Sequence, residues 1–211
     1  VRPKAGTLIE RVHRIQQHGI DVWCGMIVGF DHDDRSIFEV MPKFLADTRI
    51  SAAIISMLHA IPTTPLYDRL KLEGRLNDDD ASDKYGTNVI PRGMSREALR
   101  DGFVQVMQAC YSVDAYFQRL DAQFFDENFK FAVHHLAYWK SHRWAWAKRC
   151  FLNYCRFAVV AFRLLRSVDD RGLRARYRRQ LTRVLFARSR EPHILFIYAL
   201  KIAMHYHYAA L

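Results

Sequence analysis

Three aspartates, Asp31, Asp33 and Asp34, follow directly on the apolar run GIDVWCGMIVGF, residues 19–30. Carboxylates gathered at the end of a buried strand could move protons on a substrate. The simpler reading makes Asp33 and Asp34 the N-cap and first-turn acids of the next helix. There a side-chain oxygen takes an orphan amide and the helix dipole favours negative charge. Gly29-Phe30-Asp31 reads either as a site-bearing strand end or as an Asx-type turn. His59 closes a second apolar run and reads first as a structural histidine. Cys24, between Trp23 and Gly25, reads as a small buried hydrophobe. His134, His135, His142, His205 and His207 could ligate a metal, but no Asp, Glu or Cys joins them at a fixed spacing, so no metal is assigned. Cys24, Cys110, Cys150 and Cys155 form neither a CxxC pair nor a CxxxCxxC triplet. That argues against a disulfide framework and a self-contained zinc or iron–sulfur site, and for a reducing cytoplasm.

The elements that must position these residues follow from periodicity. Leu8, Ile9, Val12 and Ile15 recur at helical spacing and stop at His18-Gly19, a helix with a glycine end signal. Residues 20–30 and 51–60 are apolar runs with little alternation, which predicts parallel strands buried on both faces. Between them, DDRSIFEVMPKFLADTR predicts a helix opened by Asp33 or Asp34, with Pro42 kinking it or delaying its start. Helix, strand, helix, strand is a βαβ crossover. A short helix from Pro65 stops at Gly74, and NDDDASDKYGTN, residues 77–88, reads as a loop. Ser95 is the expected N-cap of a helix running to about 112. Further helices are expected over 114–125, 127–142, 143–166, 170–188 and 192–208.

The chain has 211 residues, half of them apolar, enough for one large or two small domains. Charge divides it: residues 1–130 carry 16 Lys/Arg against 19 Asp/Glu, whereas residues 131–211 carry 16 against 3, a balance of +13. The chain opens on Val1, straight into a helix-like segment with no signal peptide, so it is expected to be part of a longer polypeptide. Phe117, Phe124, Phe125, Phe129, Trp139, Trp144 and Trp146 are expected to pack between helices. Residues 166–190 predict a basic helix with Leu173, Tyr177, Leu181, Val184 and Leu185 on its packed side. The last 19 or so residues are apolar but interrupted by Lys201 and histidines, which predicts a buried or interfacial helix rather than a membrane span.

GMIVGFD at 25–31, MLHAIPTTPLYDRLKLEGRL at 57–76 and NVIPRGMSREALRDGF at 88–103 occur in that order. Together they resemble the C-terminal half of radical S-adenosylmethionine enzymes of the cobalamin-binding subgroup, with the helical domain that trails the barrel. The resemblance covers roughly residues 5–125 and fades after about 130. It implies residues 1–76 as the last βα units of an incomplete (β/α) barrel and 77–211 as an α-helical C-terminal domain, α/β passing to mostly α. By the same resemblance, ligands face the C-terminal strand ends. Ile27 would pack on the adenine of S-adenosylmethionine, and Gly29 and Phe30 would border it through a close backbone approach. Asp31 would support a polar edge or the turn, and Leu58, His59 and Ala60, after the second strand, would border the same ligand through side chain and backbone. Where the family shows Pro-Gly-Thr, this chain has Pro62-Thr63-Thr64, so the local turn is in question.

The resemblance implies a four-iron cluster, and in members that use it cobalamin, both bound by sequence upstream of this chain. The expected function is a part of an enzyme that modifies an organic substrate by radical chemistry, including methylation, and that is inactive alone without its cluster loop. Its partners would be the missing N-terminal part of the barrel and a small-molecule substrate, with lipids and pigments among those of some relatives. The competing reading is a basic helical module that binds an anionic membrane surface, peripheral to the cytoplasmic face, or, less favoured, nucleic acid.

Overall fold

The structure, a computed structural model, describes residues 6–77, 86–127, 129 and 133–209, apart from the side chains of 133–136 and 209. The expected loop at 77–88 falls largely outside these residues, as do the side chains of His134 and His135. The chain divides into two compact units, Val1–Phe129 and Lys130–Leu211.

In the first unit α1 (Leu8–Gln17) opens on a reciprocal cap: the Thr7 hydroxyl accepts the Glu10 N–H and the Glu10 carboxylate accepts the Thr7 N–H. It ends at Gly19, φ +74°. There follow β1 (Trp23–Val28), α2 (Ile37–Thr48) and β2 (Ala52–Met57). The strands are neighbours and parallel, with Trp23 opposite Ala52 and Val28 opposite Met57. Pro42 lies inside α2, which begins at Ile37, later than the aspartates. α3 (Pro65–Leu72), α4 (Arg96–Tyr111) and α5 (Val113–Asp121) complete the unit, α5 running on into a π-helical turn, Ala122–Asp126. Residues 96–126 therefore pack with the strands, α4 lying against both α2 and β2. The α2–α4 crossing is close because Gly102 has no side chain: a Cβ there would stand 2.1 Å from the Phe38 ring.

Pleating assigns the sheet's faces. Val28, Ala53, Ile55 and Met57 are buried on the helix side, whereas Trp23, Ile27 and Ile54 are 55%, 42% and 60% exposed on the other. The expectation of burial on both faces is thus corrected: a two-stranded sheet with helices on one side covers only that side. The edges differ as well. Both the N–H and the C=O of Ala53 are bound by the hydroxyl of Tyr111, so neither is used by β1. Arg119, buried, donates to the carbonyls of Ile50 and Cys110. Side chains from α4 and α5 thereby close the outer edge of β2. Gln123, in the π-helical turn, ties the two strand entrances together through Asp21 and Ser51.

The second unit contains α6 (Val133–Ser141), α7 (Arg143–Ser167), α8 (Arg171–Ala187) and α9 (Pro192–Ala209). α9 supplies much of its core: Ile194, Leu195, Tyr198, Ala199 and Ile202 are buried, and the helix packs on α7 and α8. Tyr177, Leu181 and Val184 are buried as α8's pattern requires, while Leu185 is exposed. Inside this core the Tyr177 hydroxyl lies 2.6 Å from Nδ1 of fully buried His205. Burial pushes the Tyr177 pKa up, so the phenol stays protonated in this contact. No helix among the described residues is long and apolar enough to cross a membrane.

The role of Tyr111 is testable by urea denaturation. Y111F leaves two buried polar groups of Ala53 without their partner and is expected to destabilise the first unit by about 1–3 kcal/mol; an unchanged midpoint would show that the hydroxyl closes nothing.

Candidate functional site

Because β1 and β2 are parallel, their C-terminal ends emerge on one side of the sheet, carrying residues 29–34 and 58–64. The ladder runs past the strands through the Leu58 N–H, which donates to the Val28 carbonyl at 2.8 Å. Gly29 turns the chain at φ +102°, which only glycine tolerates. Its missing Cβ also makes room for Leu99 of α4, whose Cδ2 would stand 2.9 Å away, and Leu58 Cβ lies 3.7 Å from the same point.

One Asp33 oxygen accepts the N–H groups of Gly29 and Phe30, both at 2.9 Å. The expectation that Asp33 caps α2 is thereby corrected: it fastens the strand end, since two adjacent amides there lack ladder partners. Asp34 accepts from the backbone N–H and hydroxyl of Ser36, the residue just before α2. These bonds lower its pKa.

Asp31 is the centre of an ion cluster. One oxygen stands 2.8 Å from Nη2 of Arg75 and the other pairs with Arg69. Glu73 joins Arg75 at 2.9 Å and Arg92 at 3.1 Å. The guanidinium bonds, Arg75's first, hold the Asp31 carboxyl at about 2. So placed, it stays ionised near neutral pH and moves no protons; it anchors residues 69–75 beneath the strand end.

On the second strand's side, the Asn88 side-chain amide pairs with the backbone of Ala60 in both directions, at 2.8 and 2.9 Å. Thr87 donates to the carbonyl of Leu58. Leu58, Ala60, Leu70 and Val89 form one small buried cluster. The turn after it, Ile61–Thr64, closes with Thr64 N–H to Ile61 O at 3.3 Å. Thr63 holds φ +69°. Threonine thus takes a left-handed conformation that glycine adopts freely, so the turn is held under strain.

Of the seven residues the resemblance implies, Ile27, Phe30 and His59 are exposed, Asp31 is half-buried in its ion cluster, and Gly29, Leu58 and Ala60 are buried. Leu58 Cβ lies 3.7 Å from where a Gly29 side chain would begin, and Ile27 belongs to the exposed sheet face. Sequence reading assigns no role to Arg69, Arg75, Thr87, Asn88 or Leu99, which fix these segments. NVIPRG is part of a recognised motif, yet nothing local says that Asn88 and Thr87 mimic a neighbouring strand.

Donors for a cluster are lacking among the described residues. Among the described residues no group of three or more His, Cys, Asp and Glu could hold a metal. All four cysteines are free thiols. Burial pushes Cys24 and Cys150 up and Cys110 to about 11, which disfavours their thiolates. The described residues do not fit an iron–sulfur cluster.

The family model for a domain of unknown function, DUF4070, matches residues 64–211. The chain is 33% identical over 116 residues to the hopanoid C-2 methylase of Rhodopseudomonas palustris, covering 55% of this chain and 21% of that protein. It is 27% identical over 112 residues to the bacteriochlorophyllide d C-12(1)-methyltransferase of Chlorobaculum tepidum, 53% of this chain and 25% of that one. An uncharacterised methyltransferase of Synechocystis is 29% identical over 116 residues, 54% and 22% of the two chains. The matches thus span about a fifth to a quarter of these relatives' length. No solved structure matches the chain.

Two outcomes test this geometry. The folded state keeps Asp31 ionised down to about pH 2, while an unfolded aspartate protonates near 4. Its contribution is therefore fully present above about pH 4 and lost as pH falls to about 2. D31N should lower the denaturation midpoint at pH 7 and leave it unchanged near pH 2; an equal loss at both would refute the pairing. T63G relieves the left-handed threonine and should stabilise by about 0.5–1 kcal/mol after glycine's extra unfolded freedom is subtracted, read as a raised midpoint.

Proposed function

The chain belongs to the DUF4070 family, as the C-terminal part of a radical S-adenosylmethionine enzyme of the cobalamin-binding subgroup, and from that membership we propose that it closes the catalytic barrel of a methyltransferase acting on a small organic molecule. Residues 1–76 would supply the last two strands of the partial barrel, and residues 77–211 the helical domain that follows in the sequence. The observation that carries the reading is the asymmetry of the sheet: α4 and α5 close the outer edge of β2, while β1 has no strand on its other side among the described residues. A sheet finished on one side and open on the other accepts further strands beside β1.

The exposed face with Trp23, Ile27 and Ile54 would then line the barrel's interior. S-adenosylmethionine bound there would supply a methyl group, leaving S-adenosylhomocysteine, and a second molecule of it, cleaved by one electron from a cluster held elsewhere in the polypeptide, would supply the hydrogen-abstracting 5′-deoxyadenosyl fragment and methionine. Side chains of both strand ends would shape its place. Ile27 and Phe30 would offer an apolar shelf to the adenine, Gly29 and Asp33 would hold the shelf's edge rigid, and Leu58, His59 and Ala60 would bound the far side. Cluster and cobalamin would be held by other parts of the polypeptide, in keeping with the unsuited thiols of this part. A cytoplasmic setting and a lipid or pigment substrate belong to the same reading, the latter because two relatives are named for hopanoid and bacteriochlorophyllide methylation.

The test uses the full-length polypeptide. Incubated anaerobically with S-adenosylmethionine and a reductant, it should release S-adenosylhomocysteine or 5′-deoxyadenosine; the absence of both would overturn the proposal. I27D, on an exposed position, should keep the fold by circular dichroism and weaken S-adenosylmethionine binding at least tenfold, whereas unchanged affinity would remove Ile27 from the site.

A further inference from the structure

We propose that the outer face of α7 docks on an anionic lipid bilayer. Trp144, Phe151, Cys155 and Phe162 follow one another at spacings of seven, four and seven, which at 3.6 residues per turn fall on one line along the helix. Trp144 is 90% exposed, Phe151 67% and Phe162 65%. The helix's buried residues, Asn153, Phe157 and Leu164, lie on the opposite side. The ridge runs for about 27 Å, at 1.5 Å per residue. Aromatic rings aligned over that length in water mark an interaction surface rather than scattered surface apolarity.

Charge identifies the occupant. α7 has six Arg and Lys and no acid, and α8 has six Arg and no acid. Lys148, Arg163 and Arg166 of α7 are exposed along one flank of the ridge. An apolar line flanked by cations is the pattern of helices lying in a membrane interface, where rings enter the acyl boundary and cations reach lipid phosphates. A second copy would bring the same positive charge, +13 over residues 131–211, against itself. A polynucleotide would match the charge but leave Leu152 and Val159, both at least 40% exposed, facing phosphates. Basic composition alone points to residues 166–190; the structure moves the apolar contact to α7, where Trp144, expected between helices, stands in solvent. The surface is independent of the methyltransferase reading.

The test is co-sedimentation of the 211-residue chain with phosphatidylcholine vesicles, with and without phosphatidylglycerol as a third of the lipid, at about 0.05 and about 0.5 M salt. Binding to the anionic vesicles at low salt, weakened at least tenfold at high salt, is expected. The variant W144A/F151A/F162A should lose at least tenfold in affinity. Absence of binding at low salt, or equal binding by the variant, overturns the proposal, and so does a single-stranded oligonucleotide that binds both proteins alike and displaces the vesicles. If the triple variant lacks the parent's helical circular dichroism, brominated lipid decides: quenching of tryptophan emission in the parent that is lost in W144F supports docking, and equal quenching refutes it.

Discussion

Every buried backbone amide and carbonyl needs a partner, and a parallel sheet two strands wide leaves an outer row on each strand. The rest of the first unit depends on how the row on β2 is satisfied. Tyr111 takes both groups of Ala53, Arg119 takes the carbonyl of Ile50, and Asn88, beyond the strand, takes both groups of Ala60. These residues stand in for a strand. They fix α4 and α5 against β2 and give the sheet a finished side. Burial lowers the pKa of Arg119, yet a guanidinium remains charged at any physiological pH and carbonyl oxygens receive it.

The same economy organises the strand ends. Gly29 must be glycine for its backbone angle and for Leu99, so its identity alone says nothing of a ligand. Asp33 and Asp31 act structurally, one on backbone amides and the other on two arginines. The apolar exposure of Ile27 and Phe30 is what remains for a binding role, and it is the part of the rim that no internal contact explains.

Much of this fold is legible in the sequence. The βαβ order, both strands, the Thr64-Pro65 helix start and the Ser95 cap follow from periodicity and capping chemistry, because those signals are local. The structure places helices α7 to α9 within a residue or two of the sequence reading for the same reason. Asp33 misleads because an aspartate ahead of a helix looks alike whether it caps forward or bonds backward to a strand. The Asp31–Arg69–Arg75 cluster joins residues 38 and 44 positions apart, and no local pattern announces such a pair. Exposure is not legible in the sequence: continuous apolar runs imply two covered sheet faces, and aromatic richness implies packing for Trp144. Composition says that a side chain is apolar, while only topology says whether anything covers it.

The four thiols are unequally guarded. Cys110 is buried, Cys24 and Cys150 are partly so, and Cys155 stands exposed on α7. An electrophile or oxidant in solution therefore meets Cys155 first, and chemical damage to this chain would be recorded at its periphery while the sheet and its helices stay intact.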